Sequence, residues 1–151
     1  MMHLRRGFAL LIAIILTSVL LAVGIALLDI AYKQVLLASG SKNSQYAFYN
    51  ADSGLECALY WDQKFNAFDY SSPMAAGSIK CSNIAVQGYS TTKSGSTRTT
   101  NFTVPCPGSG TSASVSVYKQ SNGTTNIYSN GYNTCVVSSP NRIERGLKAQ
   151  Y

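Results

Sequence analysis

Histidine is almost absent from this chain: its 151 residues include a single one, His3, close to the start. The sequence also contains no GxSxG, no P-loop and no HExxH motif. The catalytic and nucleotide-binding arrangements that these motifs mark are therefore missing. The remaining residues do not supply a nucleophile, a base and an orienting partner in any recognisable pattern. We therefore predict that the protein is not an enzyme and that it holds neither a cofactor nor a metal ion.

Charge is scarce as well. Only 12% of the residues are charged, 12 of them basic and 6 acidic, which gives a formal net charge of +6. Arg5 and Arg6 precede the first apolar stretch, and the other basic residues are scattered without forming a run. Because nucleic-acid-binding surfaces depend on clustered Lys and Arg, the sequence predicts no specific nucleic-acid partner.

A long apolar run begins at Phe8 and ends at Leu28, and its 21 residues carry no charge. About 20 apolar residues in a helix cross a bilayer, so this run predicts a membrane-spanning helix. It is longer than the core of a cleaved secretory signal, and no small-residue cleavage site follows it. Arg5 and Arg6 flank the run and are expected to stay in the cytoplasm, which places the bulk of the chain outside.

The four cysteines, Cys57, Cys81, Cys106 and Cys135, form no CxxC pair and have no histidine nearby. This spacing disfavours a zinc site, and disulfides persist in proteins outside the cytoplasm. Four cysteines allow three connectivities. Sequential pairing, Cys57 with Cys81 and Cys106 with Cys135, closes two loops of moderate length, and we favour it over the other two.

The helical pattern continues beyond the apolar run, because no proline occurs between residues 30 and 62. Within this extension, apolar residues recur at the spacing of one helix face. Four of them are expected to pack under a β-sheet, namely Phe48, Ala51, Leu55 and Leu59. The chain is thus expected to begin with a leader, residues 1–7, and a membrane-spanning half-helix, residues 8–28. An amphipathic half-helix, residues 29–62, and a β domain, residues 63–151, are expected to follow.

Residues 63–151 are interrupted repeatedly by Gly, Pro, Ser and Asn, with short alternating runs between the interruptions. This pattern predicts an antiparallel meander of about four to six strands and, with the helix, an α+β fold. Asn122-Gly123 predicts a two-residue type I′ hairpin. Val136 and Val137 are assigned to a strand. The Ser- and Thr-rich residues 90–101 are expected to form a mobile surface loop.

The start of the apolar run, Arg5-Arg6-Gly7-Phe8-Ala9-Leu10-Leu11, resembles the class III leader of type IV pilins and pseudopilins. In that family a membrane peptidase cuts after the glycine and methylates the new N-terminal phenylalanine. The resemblance implies cleavage between Gly7 and Phe8, with the apolar run kept on the mature protein. A second stretch, residues 45–56, is similar to the segment after the membrane helix in PilX-type minor pilins, with one inserted residue.

One position departs from the pattern of the major pilins. Most of them carry a glutamate at the fifth mature position, which in this sequence is Ile12. That glutamate would pair with the N-terminal ammonium of a neighbouring subunit in the filament core, where an unpaired charge is costly. Minor pilins and tip pseudopilins commonly lack it, so the resemblance implies a minor subunit rather than the repeated body of a filament.

The resemblance therefore implies a pilin-like fold and a subunit that assembles, primes or caps a type IV pilus or a related secretion filament. Its partners would be other pilins, the prepilin peptidase, the inner-membrane assembly platform and the membrane itself. The protein would first span the cytoplasmic membrane once and later lie in a surface filament. The alternative is a single-pass, membrane-anchored binding domain outside the cytoplasm with no filament role.

Overall fold

A computed structural model of the chain describes residues 4–151, with side chains from Phe8 onward, and it has an α+β fold. One long helix is followed by antiparallel strands. The first three residues of the expected leader, and the side chains of Arg5 and Arg6, lie outside the described part. The chain divides into two units, Met1–Ser41 and Lys42–Tyr151, and each is described by itself.

The helix, α1, runs from Leu4 to Phe65 without interruption. It ends three residues beyond the expected end, and the next residue, Asn66, adopts a left-handed conformation with φ of 49°. Asparagine tolerates that conformation better than most residues and is a common helix terminator. The Asn66 N–H donates to the carbonyl oxygen of Asp62 at 2.9 Å, and the Ala67 N–H donates to that of Trp61 at 3.1 Å.

After a short 3-10 turn, Ala76–Ser78, the strands follow in chain order: β1 Lys80–Cys81, β2 Ile84–Ala85, β3 Gln87–Ser94, β4 Thr97–Pro105, β5 Thr111–Gln120, β6 Thr125–Tyr132 and β7 Glu144–Gln150. β1 and β2 form a two-stranded ladder, and the other five strands form one sheet in the order β3-β4-β5-β6-β7. Every neighbouring pair is antiparallel. The expected antiparallel meander is therefore confirmed.

The expected loop over residues 90–101 is wrong, because these residues form the β3–β4 hairpin. Thr91 pairs with Thr100, and Ser94 pairs with Thr97 beside the turn. β-branched threonines favour extended backbone, and β4 supplies β3 with hydrogen-bond partners along its length. The polar composition reflects solvent exposure on both faces of this edge strand, which the sequence pattern did not distinguish from a loop.

The hairpin at Asn122-Gly123 is present, but its turn is not type I′. The Gly123 N–H donates to the Gln120 carbonyl oxygen at 3.0 Å, and the Gln120 N–H donates to the Thr124 carbonyl oxygen at 2.9 Å. Only Gly123, with φ of 93°, has positive φ in this turn. This is the longer type of hairpin loop, in which one glycine in the left-handed region follows an ordinary turn.

The strand expected at Val136 and Val137 is also wrong. These residues lie in the irregular segment between β6 and β7, where they are 58% and 68% exposed. β6 instead pairs directly with β7, whose residues Glu144–Gln150 complete the sheet. Two adjacent valines favour a strand locally, but no free sheet edge lies beside them, because β7 occupies the edge next to β6.

The core of the Lys42–Tyr151 unit lies between α1 and one face of the sheet. The sheet supplies alternate residues, such as Val115, Val117 and Ile127. The helix supplies a stripe of buried small residues that ends in an acid: Ala47, Ala51, Gly54, Ala58 and Asp62. The successive intervals of four, three, four and four residues keep this stripe on a single helix face.

Phe48 was expected in this interface, and that prediction is wrong, because its side chain is 46% exposed. The true stripe passes through Ala47, one position away and about 100° around the helix. Of the other expected packing residues, Ala51 is fully buried, and Leu55 and Leu59 are partly buried against the core. The closest approach to the sheet is thus made by small residues rather than by the large apolar ones.

Candidate functional site

The N-terminal part of α1 is apolar, and its described side chains are exposed. Every side chain from residue 8 to residue 42 is exposed, and this helix is long and apolar enough to cross a membrane. The 21 residues of the apolar run extend about 31 Å at about 1.5 Å per residue, which matches a hydrocarbon core about 30 Å thick. This surface has the length and composition that lipid, or other apolar helices, would cover.

The two hydroxyl side chains of the apolar run, Thr17 and Ser18, are satisfied within the helix. The Thr17 hydroxyl donates to the Ala13 carbonyl oxygen at 3.0 Å, and the Ser18 hydroxyl donates to that of Ile15 at 2.8 Å. Such internal bonds allow serine and threonine to lie in an apolar environment, where an unsatisfied hydroxyl is costly. The two residues are therefore compatible with a membrane span.

The first charges after the apolar run form an ion pair. Lys33 Nζ lies 2.8 Å from Asp29 Oδ2, one helical turn away, and both side chains are more than half exposed. An exposed pair of this spacing stabilises a helix by only a few tenths of a kcal/mol. The pair is more informative about position than about stability, because its two charges mark where an apolar environment around the helix would end.

The residues of the expected processing site have clear positions in the backbone. Gly7 lies within α1, and Phe8, which begins the described side chains, is 68% exposed. A position in the backbone does not by itself show that a peptidase acts there. Cleavage and methylation at this bond therefore remain predictions, as do the topology roles of Arg5 and Arg6.

In the Lys42–Tyr151 unit, α1 and β6 approach each other at their backbones. A Cβ atom added to Gly131 would overlap the backbone of Ala47 and Ala51. The Ser129 hydroxyl donates to the Ala51 carbonyl oxygen at 2.7 Å. Glycine at 131 therefore has a packing function, since only a residue without a side chain lets the helix and strand come this close.

A buried carboxylate lies at the end of the same helix stripe. Asp62 Oδ2 lies 2.7 Å from Lys119 Nζ and accepts a hydrogen bond of 2.6 Å from the Tyr151 hydroxyl. The Thr125 hydroxyl lies 3.5 Å away. The Asp62 side chain is only 1% exposed, and its Oδ1 atom has no hydrogen-bond partner within the described residues. This group ties the last turn of α1 to β5, β6 and the last residue of the chain.

The tyrosine of this group is expected to make stability depend on alkaline pH. Burial, the hydrogen bond to Asp62 and the charge of that carboxylate together raise the pKa of Tyr151 above its ordinary value of 10.0. Above about pH 10 the unfolded chain loses this proton first. The folded state then binds more protons than the unfolded state, so the free energy of unfolding falls as pH rises.

We expect Tyr151→Phe to flatten this decline when urea denaturation is measured from pH 8 to pH 11. Burial also raises the pKa of Tyr89, so Tyr89→Phe is expected to remove a separate part of the same decline, and the double variant to remove both. An alkaline profile of Tyr151→Phe that overlays the wild type would contradict this assignment.

Two disulfides join the cysteines of this unit, Cys57 to Cys81 with Cα atoms 5.7 Å apart and Cys106 to Cys135 with Cα atoms 6.1 Å apart. These are the pairs that sequential pairing predicts. The first attaches α1 to β1. The second joins the segment after β4 to the irregular segment after β6, and so encloses the β5–β6 hairpin.

Each disulfide is expected to contribute about 3 kcal/mol to stability, because the bonded cysteines are separated by 24 and 29 residues. Cys57→Ser combined with Cys81→Ser, and the equivalent change at the second pair, should each lower the free energy of unfolding by that amount in urea. Mass spectrometry of alkylated, unreduced protein should detect no modified cysteine. Labelling of any cysteine before reduction would contradict the pairing.

The described residues contain no cluster of His, Cys, Asp or Glu side chains suited to a metal ion. Comparisons with protein-family models, with curated proteins and with solved structures found no match to this chain. Its function is therefore inferred from its own residues and geometry.

Proposed function

We propose that the protein is a minor pilin or pseudopilin, a subunit that assembles, primes or caps a type IV pilus or a related secretion filament. The observation that carries the proposal is one uninterrupted helix, Leu4–Phe65, whose apolar run from Phe8 is exposed and whose other part packs against the sheet of a small β domain. This combination suits a subunit that is stored in lipid and later buried among sister helices.

The proposed mechanism follows from the exposed apolar surface. A helix with this much apolar surface is unstable in water and must be covered. In the membrane, lipid covers it; in a filament, neighbouring helices replace the lipid. Gly24 and Gly40 fit this exchange, since a Cβ atom at either position would meet no other heavy atom within 4 Å. Nothing within the described chain requires glycine there, and both positions would admit a closely packed neighbouring helix.

The residue at position 12 favours a minor rather than a repeated subunit. Ile12 offers no carboxylate to the N-terminal ammonium of a neighbouring subunit. A filament built only from this chain would bury that ammonium without a partner, which is unfavourable in a low-dielectric core. A subunit that is used once, or that packs beside chains with their own carboxylate, avoids this cost. The expected partners are other pilins, the prepilin peptidase and the inner-membrane assembly platform.

N-terminal processing tests the proposal most directly. We expect protein isolated from its native membrane to have lost residues 1–7 and to begin with N-methylated Phe8, as measured by intact mass and N-terminal sequencing. Gly7→Leu should leave the leader in place and prevent the protein from appearing in sheared surface filaments. Thr17→Ala, a change in the same apolar segment, is the matched control and should be processed as the wild type is.

The alternative, a single-pass anchored binding domain, predicts the opposite pattern. The mature protein would then keep its first residues, Gly7→Leu would change nothing, and the protein would stay in the membrane fraction when filaments are removed. This set of results would overturn the filament proposal while leaving the anchor hypothesis in place.

A further inference from the structure

The outer face of the sheet, which points away from the core, is polar but almost without charge. It carries alternate residues of each strand, and these are mainly Ser, Thr, Asn, Gln and Tyr, for example Thr99 on β4, Ser116 on β5 and Asn130 on β6. The outward positions of β7 add Glu144 and Lys148, one charge of each sign. A five-stranded ladder holds all of these side chains on a rigid surface.

A shallow groove of about 360 Å³ lies on this face near one end of the sheet, and it is lined by Thr97, Tyr118, Gln120, Asn126 and Tyr128. The two tyrosine rings are perpendicular, with centroids 5.6 Å apart, and they are 36% and 41% exposed. Thr97 is the direct partner of Gln120, and Tyr118 that of Asn126, so the ladder fixes the spacing of the whole set.

We propose that this groove binds a neutral glycan. A sugar ring has an apolar face of C–H groups, which packs well on an exposed aromatic ring, and a rim of hydroxyls. The amides of Gln120 and Asn126 each offer a donor and an acceptor to such hydroxyls. Within the described part of the chain, neither amide is engaged in the side-chain hydrogen bonds that hold the fold together.

Charge decides between a neutral glycan and other ligands that stack on tyrosine. None of the five lining side chains is charged. Lys148, on β7, has its Nζ 5.2 Å from the centroid of the Tyr128 ring, and Glu144 is the other charged residue at the outward positions of that strand. Nucleic acids and acidic polysaccharides need several clustered cations to neutralise their phosphates or carboxylates. The groove therefore complements an uncharged ligand, and this inference goes beyond the filament role and does not depend on it.

The test uses the full chain in phosphatidylcholine nanodiscs. Alkyl glycoside detergents are avoided, because their headgroups are themselves neutral sugars. A glycan array selects the best neutral oligosaccharide, and titration calorimetry then measures its affinity for the wild type and the variants. Maltohexaose, cellohexaose and chitohexaose are the starting probes, and a heparin oligosaccharide and single-stranded oligo-dT are the charged comparators.

We expect at least one neutral probe to bind and the charged comparators to bind more weakly. Tyr118→Ala and Tyr128→Ala should each weaken the dissociation constant by about tenfold, as the loss of an aromatic stacking platform does elsewhere. Tyr49→Ala is the matched control, because this tyrosine is 65% exposed on α1, and it should change affinity by less than about twofold. Circular dichroism confirms that each variant is folded.

Three results would overturn the inference. The first is that no neutral probe binds at about 10 mM, well above the millimolar limit of weak recognition. The second is that the heparin oligosaccharide or oligo-dT binds more tightly than any neutral probe, and the third is that the wild type, Tyr118→Ala and Tyr128→Ala have equal affinities. The last result would place any glycan binding elsewhere on the chain.

Discussion

Gly131→Val should lower the free energy of unfolding of the Lys42–Tyr151 unit by at least about 3 kcal/mol. A Cβ at this position would overlap the backbone nitrogen of Ala51 and the backbone oxygen of Ala47. A flexible side chain could rotate away, but the helix backbone cannot. α1 and β6 must therefore separate, which exposes core surface and breaks the 2.7 Å hydrogen bond from Ser129 to Ala51.

Urea denaturation followed by circular dichroism measures this effect, with two further glycines for comparison. Gly77→Val is the matched control, because a Cβ there would meet no heavy atom within 4 Å, and it should change stability by less than about 0.5 kcal/mol. Gly54→Ala should have an intermediate effect. Its Cβ would lie 2.6 Å from the Ser129 hydroxyl oxygen and 3.1 Å from the Ala113 Cβ, which are side-chain atoms rather than helix backbone. Alanine is also more favourable than glycine in a helix by about 1 kcal/mol.

The order of the three variants is the decisive result. Gly131→Val must be the least stable, followed by Gly54→Ala and then Gly77→Val. Wild-type stability of Gly131→Val would mean that α1 does not lie against β6 as described here.

Asp62→Ala is expected to lower the free energy of unfolding by about 3–5 kcal/mol, the typical loss when one partner of a buried ion pair is removed. The ammonium of Lys119, whose side chain is only 13% exposed, would be left without its carboxylate. The Tyr151 hydroxyl would lose its acceptor at 2.6 Å. The change also removes the connections between the end of α1 and β5, β6 and Tyr151.

The exposed pair in the same protein is the control. Asp29→Ala removes a contact of similar length, 2.8 Å, from a pair that is mostly exposed, and it should cost less than about 0.5 kcal/mol. A second comparison separates charge from packing. Asp62→Leu combined with Lys119→Met and Tyr151→Phe should recover most of the stability that Asp62→Ala loses, because apolar residues can replace a buried ion pair at little net cost.

Equal stabilities of Asp62→Ala and Asp29→Ala would show that the buried position of the carboxylate has no energetic consequence. If the triple variant were no more stable than Asp62→Ala, then the polar contacts themselves, rather than an abandoned charge, would account for the loss.

The candidate assembly segment was more accessible to sequence reasoning than the β domain. Arg5, Arg6, Gly7 and Phe8 are consecutive, so a local pattern is enough to predict a processing site there, which stays a prediction. Composition alone establishes an apolar stretch of sufficient length. The cysteine pairing followed from chain order. The sequence did not show which residues of the helix face the sheet, because Phe48 and Ala47 both belong to apolar patterns. Only contact with β6 distinguishes the buried residue from the exposed one.

The Asp62 group was missed for a related reason. Its members come from positions 62, 119, 125 and 151, and nothing in the spacing of these residues connects them. The one indication in the sequence was Asp62 itself, an acidic residue four positions after Ala58, where the stripe of small residues would continue. The groove between Tyr118 and Tyr128 was equally hidden, since it depends on the register between β5 and β6.

The amino-acid sequence by itself determined the class of this protein: a long helix with an apolar beginning, followed by an antiparallel meander, with an exposed surface poor in charge. These properties arise from composition and from periodicities of a few residues, which local backbone geometry converts directly into helices and strands. Only the tertiary structure decided which helix residues touch the sheet, which strands occupy its edges and which distant polar side chains meet. Those outcomes depend on close packing between segments far apart in the chain, where the presence or absence of a single Cβ atom selects one arrangement over another.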